Sequence, residues 1–544
     1  MLWFLLATLW VVPPEVYPLA GALATGLAAV LGAALFLSGW RLTSPGLGFL
    51  AALALAMGIS HAFAEDVGAS VDTVIRLGGL LVVFVTARRL SAAARRGTAV
   101  LLVAAAAVLA IHGLWQFFIG FDRMLATPHL DPAVAVRLQT YRVFSRFLLP
   151  STFASFLLLA LPTGAGLTPR SAGWSRWLVG GATVAIFVAL LLTQSHGAIV
   201  ALLSTAVVWS VASARRGIRT RALALAVSAV LLLGVVMAMR GGVLLGDRRA
   251  SGPAALRWGN WRAAVLMIED RPLTGVGGGG FGSAYTRYRR PGDNETRYAH
   301  NTYLQVLAEH GLPMAIPLGG LLLACTTWIC RTAREGEPPA MGMAFGLTAF
   351  LVHNVWDFSA LVTAPLWTAA ALAGTLAASA SDERHVPSSF RWPSLASVGA
   401  VALLVIGGVT GVRSGVARWR LATARQATAS GNPARALTFA RQAEAWAPWQ
   451  AENPMFVAED LLARAKPGSR EEMALAAASR AVVLNRSWPA AHAARARALL
   501  AAGDAGAAAV EIDIAARLYP LSARYPRELA ALAGAVVARN EVEP

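Results

Sequence analysis

Lysine is almost absent from this chain. Lys466 is the single lysine among 47 basic residues, which leaves 46 arginines (47 − 1). With so skewed a choice, arginine at any one position says little about bidentate recognition, and charge and placement must carry the argument. Charge is itself scarce: Asp, Glu, Lys and Arg are 14% of 544 residues, against 56% hydrophobic, at a mean hydropathy of +0.56. A soluble domain carries about 25% charge, so composition excludes an ordinary soluble enzyme and points to a polytopic membrane protein. Only two cysteines are present, Cys325 and Cys330, both inside one apolar run. That number excludes a disulfide framework or a cysteine metal cluster, and the two read as small core residues.

What is abundant is apolar length. Runs over 2–12, 18–38, 46–63, 72–87, 98–119, 148–165, 178–193, 198–213, 222–240, 312–330, 341–355, 361–379 and 395–412 reach or approach the span of a bilayer. The first of these reads as a signal-anchor-like span without a cleavage pattern. The net charge of +18 comes largely from basic residues in short loops beside the spans. That placement answers the requirement for orientation and argues against nucleic acid as a partner. The clusters Arg88-Arg89, Arg95-Arg96, Arg215 to Arg221 and Arg331/Arg334 are expected in the cytoplasm, as is the N-terminus. Alternation then places 64–71, 120–147 and 241–311 on the opposite face.

The expected fold is an all-α polytopic transmembrane helical bundle of about twelve or thirteen spans over 1–412, with a large periplasmic loop at 241–311. Residues 413–544 read as a separate C-terminal α-helical repeat domain on the loop's side of the membrane. There Gly431, Gly468 and Gly503 recur at spacings of 37 and 35, and each is followed by a helical run and a stop. The stops are Trp446-Ala-Pro448, Leu484 to Pro489 and Leu518-Tyr-Pro520. A period of about 34 with small residues at helix contacts resembles tetratricopeptide repeats, the alternative being an irregular helical bundle. Such a domain suits a protein partner.

The 241–311 loop holds nine arginines and most of the candidate chemistry. Residues 254–271 read as one amphipathic helix stopped by Pro272. Trp258, Trp261, Val265 and Ile268 form a stripe suited to a membrane interface, with Arg257 and Asn260 off it and open to a headgroup. Arg262 and Arg271 read as solvated. The run Gly275-Val-Gly277-Gly-Gly279-Gly280-Phe281 permits positive φ and close backbone approach. Its amides, Gly277 and Gly279 among them, are candidates to face phosphate oxygens, although the run is no Walker or dinucleotide fingerprint. His300-Asn301 opens a short helix, a turn or so from Arg297, and an imidazole there suits the removal of a proton from an attacking hydroxyl. His310 reads as a helix-end residue. His353 and Asp357 lie one turn apart near a span end, as a helper pair or as a hydrogen-bonded pair that orders the span.

The order Arg257-x-x-x-Trp261, Pro272-Leu-Thr-Gly-Val-Gly277-x-Gly279-x-Phe281, His300-Asn-x-Tyr-Leu-Gln305 and Glu309-x-Gly-Leu312 resembles the O-antigen ligase and polymerase superfamily of bacterial inner-membrane enzymes. Three further stretches agree: Tyr141-Arg142-Val-Phe-Ser-Arg146 to Pro150, Leu192-Thr-Gln-Ser-His196-Gly-Ala198, and His353-Asn-Val-Trp-Asp357-Phe-Ser. The resemblance covers roughly residues 40–380. It implies a GT-C-like enzyme that passes a glycan from undecaprenyl diphosphate to an acceptor hydroxyl by metal-independent inverting transfer, with no cofactor. It implies His300 as base and Arg257 as the loop arginine on the diphosphate, with Arg142, Arg146, His196, Gly277 and Gly279 as further donor-binding candidates. Asn301, Arg297, His353 and Asp357 are the possible helpers. The chain departs from the family at His196, which stands where the family has arginine, and at Gly311-Leu-Pro-Met314, where the ligase signature has Gly-x-x-Gly. The acceptor therefore stays open between lipid, a second lipid-linked glycan and protein. A transporter or scaffold is the reading from another class.

Overall fold

In the computed structural model residues 1–37, 44–128, 130–212, 253–380, 395–463, 471–528 and 530–531 are described. The expected span 222–240, the basic cluster 215–221 and Gly468 lie outside these residues. All regular structure among the described residues is helical.

The N-terminal half begins with α1 (Leu2–Val11), α2 (Pro18–Leu37), α3 (Ser44–Ala62), α4 (Val67–Arg88) and α5 (Ala92–Trp115). The last of these continues through a π-turn at Gln116–Gly120 into α6 (Phe121–Leu125), and α7 (Pro132–Leu138) follows. Then come α8 (Pro150–Leu167), α9 (Trp174–Leu192) and α10 (His196–Ala212). The arginine loop supplies α11 (Pro253–Asp270), α12 (Phe281–Tyr288) and α13 (Thr302–His310). The chain re-enters the apolar layer with α14 (Ala315–Glu335), α15 (Pro338–His353) and α16 (Thr363–Ala380). A single long helix, α17 (Leu395–Ala429), leads out to α18 (Pro433–Trp446), α19 (Glu452–Ala463), α20 (Glu471–Leu484), α21 (Pro489–Ala501) and α22 (Ala505–Leu518).

Among the described residues seven segments are long and apolar enough to cross a membrane: Pro18–Leu35, Val67–Arg88, Ala92–Leu125, Pro150–Arg170, Trp174–Leu192, Leu312–Arg334 and Val401–Ala429. Leu2–Val11, Gly48–Ala62 and His196–Trp209 are apolar but shorter. Helix is the form such segments must take, because hydrocarbon offers no partner to an unpaired backbone amide. Local signals set the ends. The Asp66 carboxylate accepts from Ala69 N at 2.9 Å, which starts α4 at Val67, and Ser91 caps α5 through Ala94 N at 3.3 Å.

Helices α8, α15 and α16 form the centre. Small residues let them approach: a Cβ on Gly342 would fall 2.2 Å from Pro162 O, and one on Gly346 2.9 Å from Leu159 O. Within lipid no hydrophobic force joins helices, so close backbone packing of this GxxxG kind supplies the contact. Helix α17 repeats the device, with Gly411 and Gly415 pressed against Thr25 and Ala22 of α2. Cys325 is buried as expected of a small core residue, whereas Cys330 is exposed on the same helix.

The helices after α17 end where the aromatic and proline stops stand: α18 at Trp446, α20 at Leu484, α22 at Leu518. Gly431 and Gly503 make the intervening turns at φ +72° and +88°, and Asn432 and Asp504 then cap the next helix. The 63–66 turn, the arginine loop and the C-terminal helices touch one another, so all lie on one face of the bundle.

Gly342→Val is expected to lower the stability of the purified protein by about 1–3 kcal/mol, as overpacking of a close contact does. Thermal unfolding in detergent reads this, and an unchanged midpoint would remove the α8–α15 contact from the account.

Candidate active site at the loop–membrane junction

Thr302 fastens the arginine loop to the bundle. Its backbone N–H donates to both Asn354 O and Asp357 O at 3.0 Å, and its hydroxyl donates to Asn354 Oδ1 at 2.8 Å. Asn354 and Asp357 follow the end of α15, so the clasp draws His300 onto the last turn of a central helix. His300 itself is held at every side. The Ala299 N–H donates to Gln305 Oε1 at 2.9 Å, the His300 carbonyl accepts from Trp261 Nε1 at 3.3 Å, and the Asn301 side chain caps α13 through Leu304 N at 3.0 Å. The imidazole meets the edge of Phe358 at 5.0 Å between centroids, and Phe358 stacks on Tyr298 at 3.9 Å. Asn301 is thus a helix cap, and the helix-opening motif is built to fix one histidine.

Asp357 is the electrostatic centre. It is 2% exposed; Oδ1 accepts from Phe358 N at 2.6 Å, while Oδ2 lacks a hydrogen-bond partner and lies 3.5 Å from His353 Nε2. His353 pairs through Nδ1 with Ser155 Oγ at 2.6 Å. Arg142, Arg257, His300 and His353 all lie within electrostatic reach of the Asp357 carboxylate. Burial pushes the His300 imidazole below its usual value; the Asp357 charge opposes that and the Arg257 charge adds to it. Burial also lowers the two guanidiniums, with Arg257 and Arg137 adding to the effect on Arg142, yet arginine stays a cation throughout.

The second wall comes from the turn between α9 and α10. Arg142 Nε donates to Thr193 O at 3.1 Å, and Val143 N donates to Leu192 O at 3.0 Å. Trp356 Nε1 donates to Gly197 O at 3.0 Å, and a Cβ on Gly197 would fall 2.6 Å from the indole. His196 therefore stands exposed at the first turn of α10, beside this wall. Tyr141, Ser145, Gln194 and His300 are the non-glycine residues at positive φ among the described residues, at 50°, 51°, 51° and 55°. Tyr141 precedes Arg142, Gln194 follows the Thr193 carbonyl that Arg142 holds, His300 precedes the Asn301 cap, and Ser145 bonds Gln116 and Leu109.

Some candidates stand elsewhere. Arg146 is exposed, its guanidinium 5.7 Å from the Tyr17 ring. Arg297 is exposed and its stem packs on Gly282. The amides of the glycine turn are already bonded: Gly277 N to Glu309 O and Gly279 N to Glu309 Oε2, each at 2.9 Å. A Cβ on Gly277 would meet Ala64 at 2.7 Å, so the turn is a packing contact against the α3–α4 connection and its bonded amides face no phosphate. Glu309, fully buried and pushed up by burial, also accepts from Gln305 Nε2 at 2.8 Å. His310 is a buried helix end, pushed down to about 4 by burial first and by the Arg76 charge.

On α11 the expected stripe stays outward, with Trp258 70% and Val265 41% exposed. Asn260, expected to be open to a headgroup, is instead buried with Ala263, Ala264 and Met267, its Oδ1 accepting from Tyr285 OH at 2.8 Å, because α12 packs on that face. Arg262 and Arg271 are partnered instead of solvated: Arg262 donates to Tyr288 O at 2.8 Å and Arg271 pairs with Glu65. Thr302, Phe358, Asn354 and Arg137 were not singled out in the sequence. Asn354 and Phe358 lie inside the quoted His353–Asp357 stretch, whereas nothing marks Arg137. Among the described residues no three His, Cys, Asp or Glu side chains gather as a metal-holding group.

No curated relative matches the chain. A multi-pass set of apolar helices carries the site, and its central segment, from within α9 through the arginine loop into α14, is similar to a family of membrane glycan ligases and polymerases: residues 181–318 match the family model described as O-antigen ligase.

Proposed function

We propose that this protein transfers a glycan from an undecaprenyl diphosphate carrier to an acceptor hydroxyl at the outer face of a bacterial inner membrane, without a metal. The observation that carries this reading is the gathering of Arg142, Arg257 and His300 around Asp357 from three separate segments. Arg142 and Arg257 bind the donor diphosphate, and His196 stands at the edge of the same pocket. The acceptor oxygen attacks the anomeric carbon on the face opposite the diphosphate and the configuration inverts. The carbon–oxygen bond to the diphosphate breaks with its electron pair, and the acceptor proton passes to His300. Fixed cations in a site poor in water stabilise the charge that grows on the leaving group. Asp357 steadies the imidazolium that forms, and His353, held by Ser155, fixes Asp357.

A lipid-borne acceptor, as in a ligase or polymerase, is favoured over protein by a cavity on the far side of α13. It has a volume of about 1520 Å³ and is lined mainly by aliphatic side chains of α3, α4, α14 and α16. Thr302, Tyr303, Glu309 and His310 of α13 and Arg76 of α4 close one end of it. A second hydrocarbon chain is the occupant such a chamber suits, beside the donor's own.

Transfer from purified undecaprenyl diphosphate glycan to lipid, glycan and protein acceptors, in EDTA, tests the reading. Wild type is expected to glycosylate a lipid-borne acceptor, and His300→Ala to lose about 10²–10⁴-fold in kcat. Arg142→Gln and Arg257→Gln should each lose about 10²–10³-fold. Transfer undiminished in His300→Ala would remove the base, and transfer only with added metal would remove the metal-free step.

The pH profile has a definite sign. A base whose value burial lowers stays neutral to lower pH, so the acid limb of kcat/KM should fall below the ordinary histidine value of about 6.5. Asp357→Asn removes the charge that opposes this and should move the limb further down; Arg257→Gln should move it up. Identical limbs in all three proteins would show that His300 does not titrate in the reaction.

A further inference from the structure

The C-terminal helices grip the arginine loop at the strand-like turn where α4 begins. Asn485, just past the end of α20, donates from Nδ2 to Asp66 Oδ2 at 2.7 Å and to Ser283 Oγ at 3.1 Å. Ser283, in α12, donates in turn to Asp66 Oδ2 at 3.2 Å. The backbones join at the same point: Asp66 and Asn485 form an antiparallel bridge, and Arg486 N donates to Glu65 O at 2.9 Å. One carboxylate therefore serves three segments, since its other oxygen caps α4. His492 backs the contact, with Nε2 3.0 Å from Arg486 O and Nδ1 2.8 Å from Glu511 Oε2.

Two further contacts hold α12. Thr286 Oγ1 donates to Leu518 O at 2.9 Å, at the end of α22. The Tyr519 hydroxyl sits between Arg289 and Glu295, with the Arg289 guanidinium 5.5 Å from its ring. From α12 the grip passes to both ends of the proposed chemistry. Tyr285 of α12 donates to Asn260, one turn along α11 from Arg257, and Phe281 and Tyr285 pack with Met267. Gly282 bears on Arg297, three residues before His300, at 3.1 Å for a Cβ placed there.

We infer that the C-terminal helices are a clamp acting on this chain's own loop, with Asn485 as the positioning residue that sets α12 and, through it, Arg257 relative to His300. The clamp itself stands on the contacts above; its effect on transfer rests on the reading under Proposed function. The partner of this surface is thus the arginine loop, whatever else the helices bind. A carboxamide bridging a carboxylate and a hydroxyl is directional, so its disturbance displaces α12 instead of loosening the whole domain.

The test is a reciprocal exchange in the full-length protein. Asn485→Asp sets two carboxylates against each other, Asp66→Asn leaves two amides, and the double variant restores an amide–carboxylate pair in the opposite sense. Asparagine also keeps the α4 cap. Hydrogen exchange over residues 281–300 and glycan transfer are measured on all four proteins. Asn485→Asp should exchange about tenfold faster over that segment and lose about tenfold in kcat, since small displacements of reacting groups are costly. Its acid limb should move to higher pH as Arg257 withdraws from His300, which a mere loss of folded protein would not cause. The double variant should return to within about twofold of wild type. Tyr519→Phe, which removes one hydroxyl, repeats the measurement if Asn485→Asp does not fold, with the same signs expected. Wild-type exchange and kcat in the variants that fold, or a double variant no better than Asn485→Asp, would overturn the clamp. If wild type transfers nothing, the transferase reading fails, and the exchange measurements still decide the clamp.

Discussion

A carboxylate buried at the end of a membrane helix must be surrounded by cations or hydrogen-bond donors, because an uncompensated charge there costs several kcal/mol. Asp357 is such a group, and the arrangement of the site follows from it. His353 is the last residue of α15, four positions before Asp357, and Arg142, Arg257 and His300 come from elsewhere in the chain. The buried carboxylate is thereby compensated by basic groups drawn from separate segments, so the packing of the junction and the placement of its basic side chains have one origin.

Much of this was legible in the sequence. His300, Arg257, Arg142, His353 and Asp357 were identifiable from residue type, placement and the order of short motifs, and the structure brings them together. Seven of the thirteen expected spans were legible because apolar length is a one-dimensional property, whereas 341–355 and 361–379 fall in helices that are not long and apolar enough to count among them. The glycine turn was misread because its amides bond to Glu309, thirty residues on, which no local pattern discloses. Asn260 was misread for a related reason: its partner is Tyr285, twenty-five residues on, and periodicity alone gives a polar residue no inward partner. The Asp66–Asn485 contact joins residues 419 apart and leaves no trace in either neighbourhood.

The backbone at the site adds a constraint on rigidity. Among the described residues four non-glycine residues hold positive φ, Tyr141, Ser145, Gln194 and His300, each at a cost of about 1–3 kcal/mol. Such conformations persist only where neighbours leave no alternative. At His300 the neighbours are Gln305, Trp261, the Asn301 cap and the Thr302 clasp; at Ser145 they are the Gln116 side chain, which accepts its N–H at 2.9 Å, and Leu109 O. At Gln194 the flanking Thr193 carbonyl is tied to Arg142. These three strained residues are thus pinned by contacts with other segments.

That pattern accounts for the extent of ordered structure in residues 253–311 and for the helices from the far end of the chain that bear on it. Under the transfer proposed above, a base and two guanidiniums held at fixed separation before a donor arrives require the ordering cost to be met by the protein beforehand. The Thr302 clasp does this from the membrane side, through α15. The Asn485 and Tyr519 contacts do it from the opposite side, through α12. The loop is held between these two sets of contacts, and His300, its ring against Phe358 on the membrane side, sits where they meet.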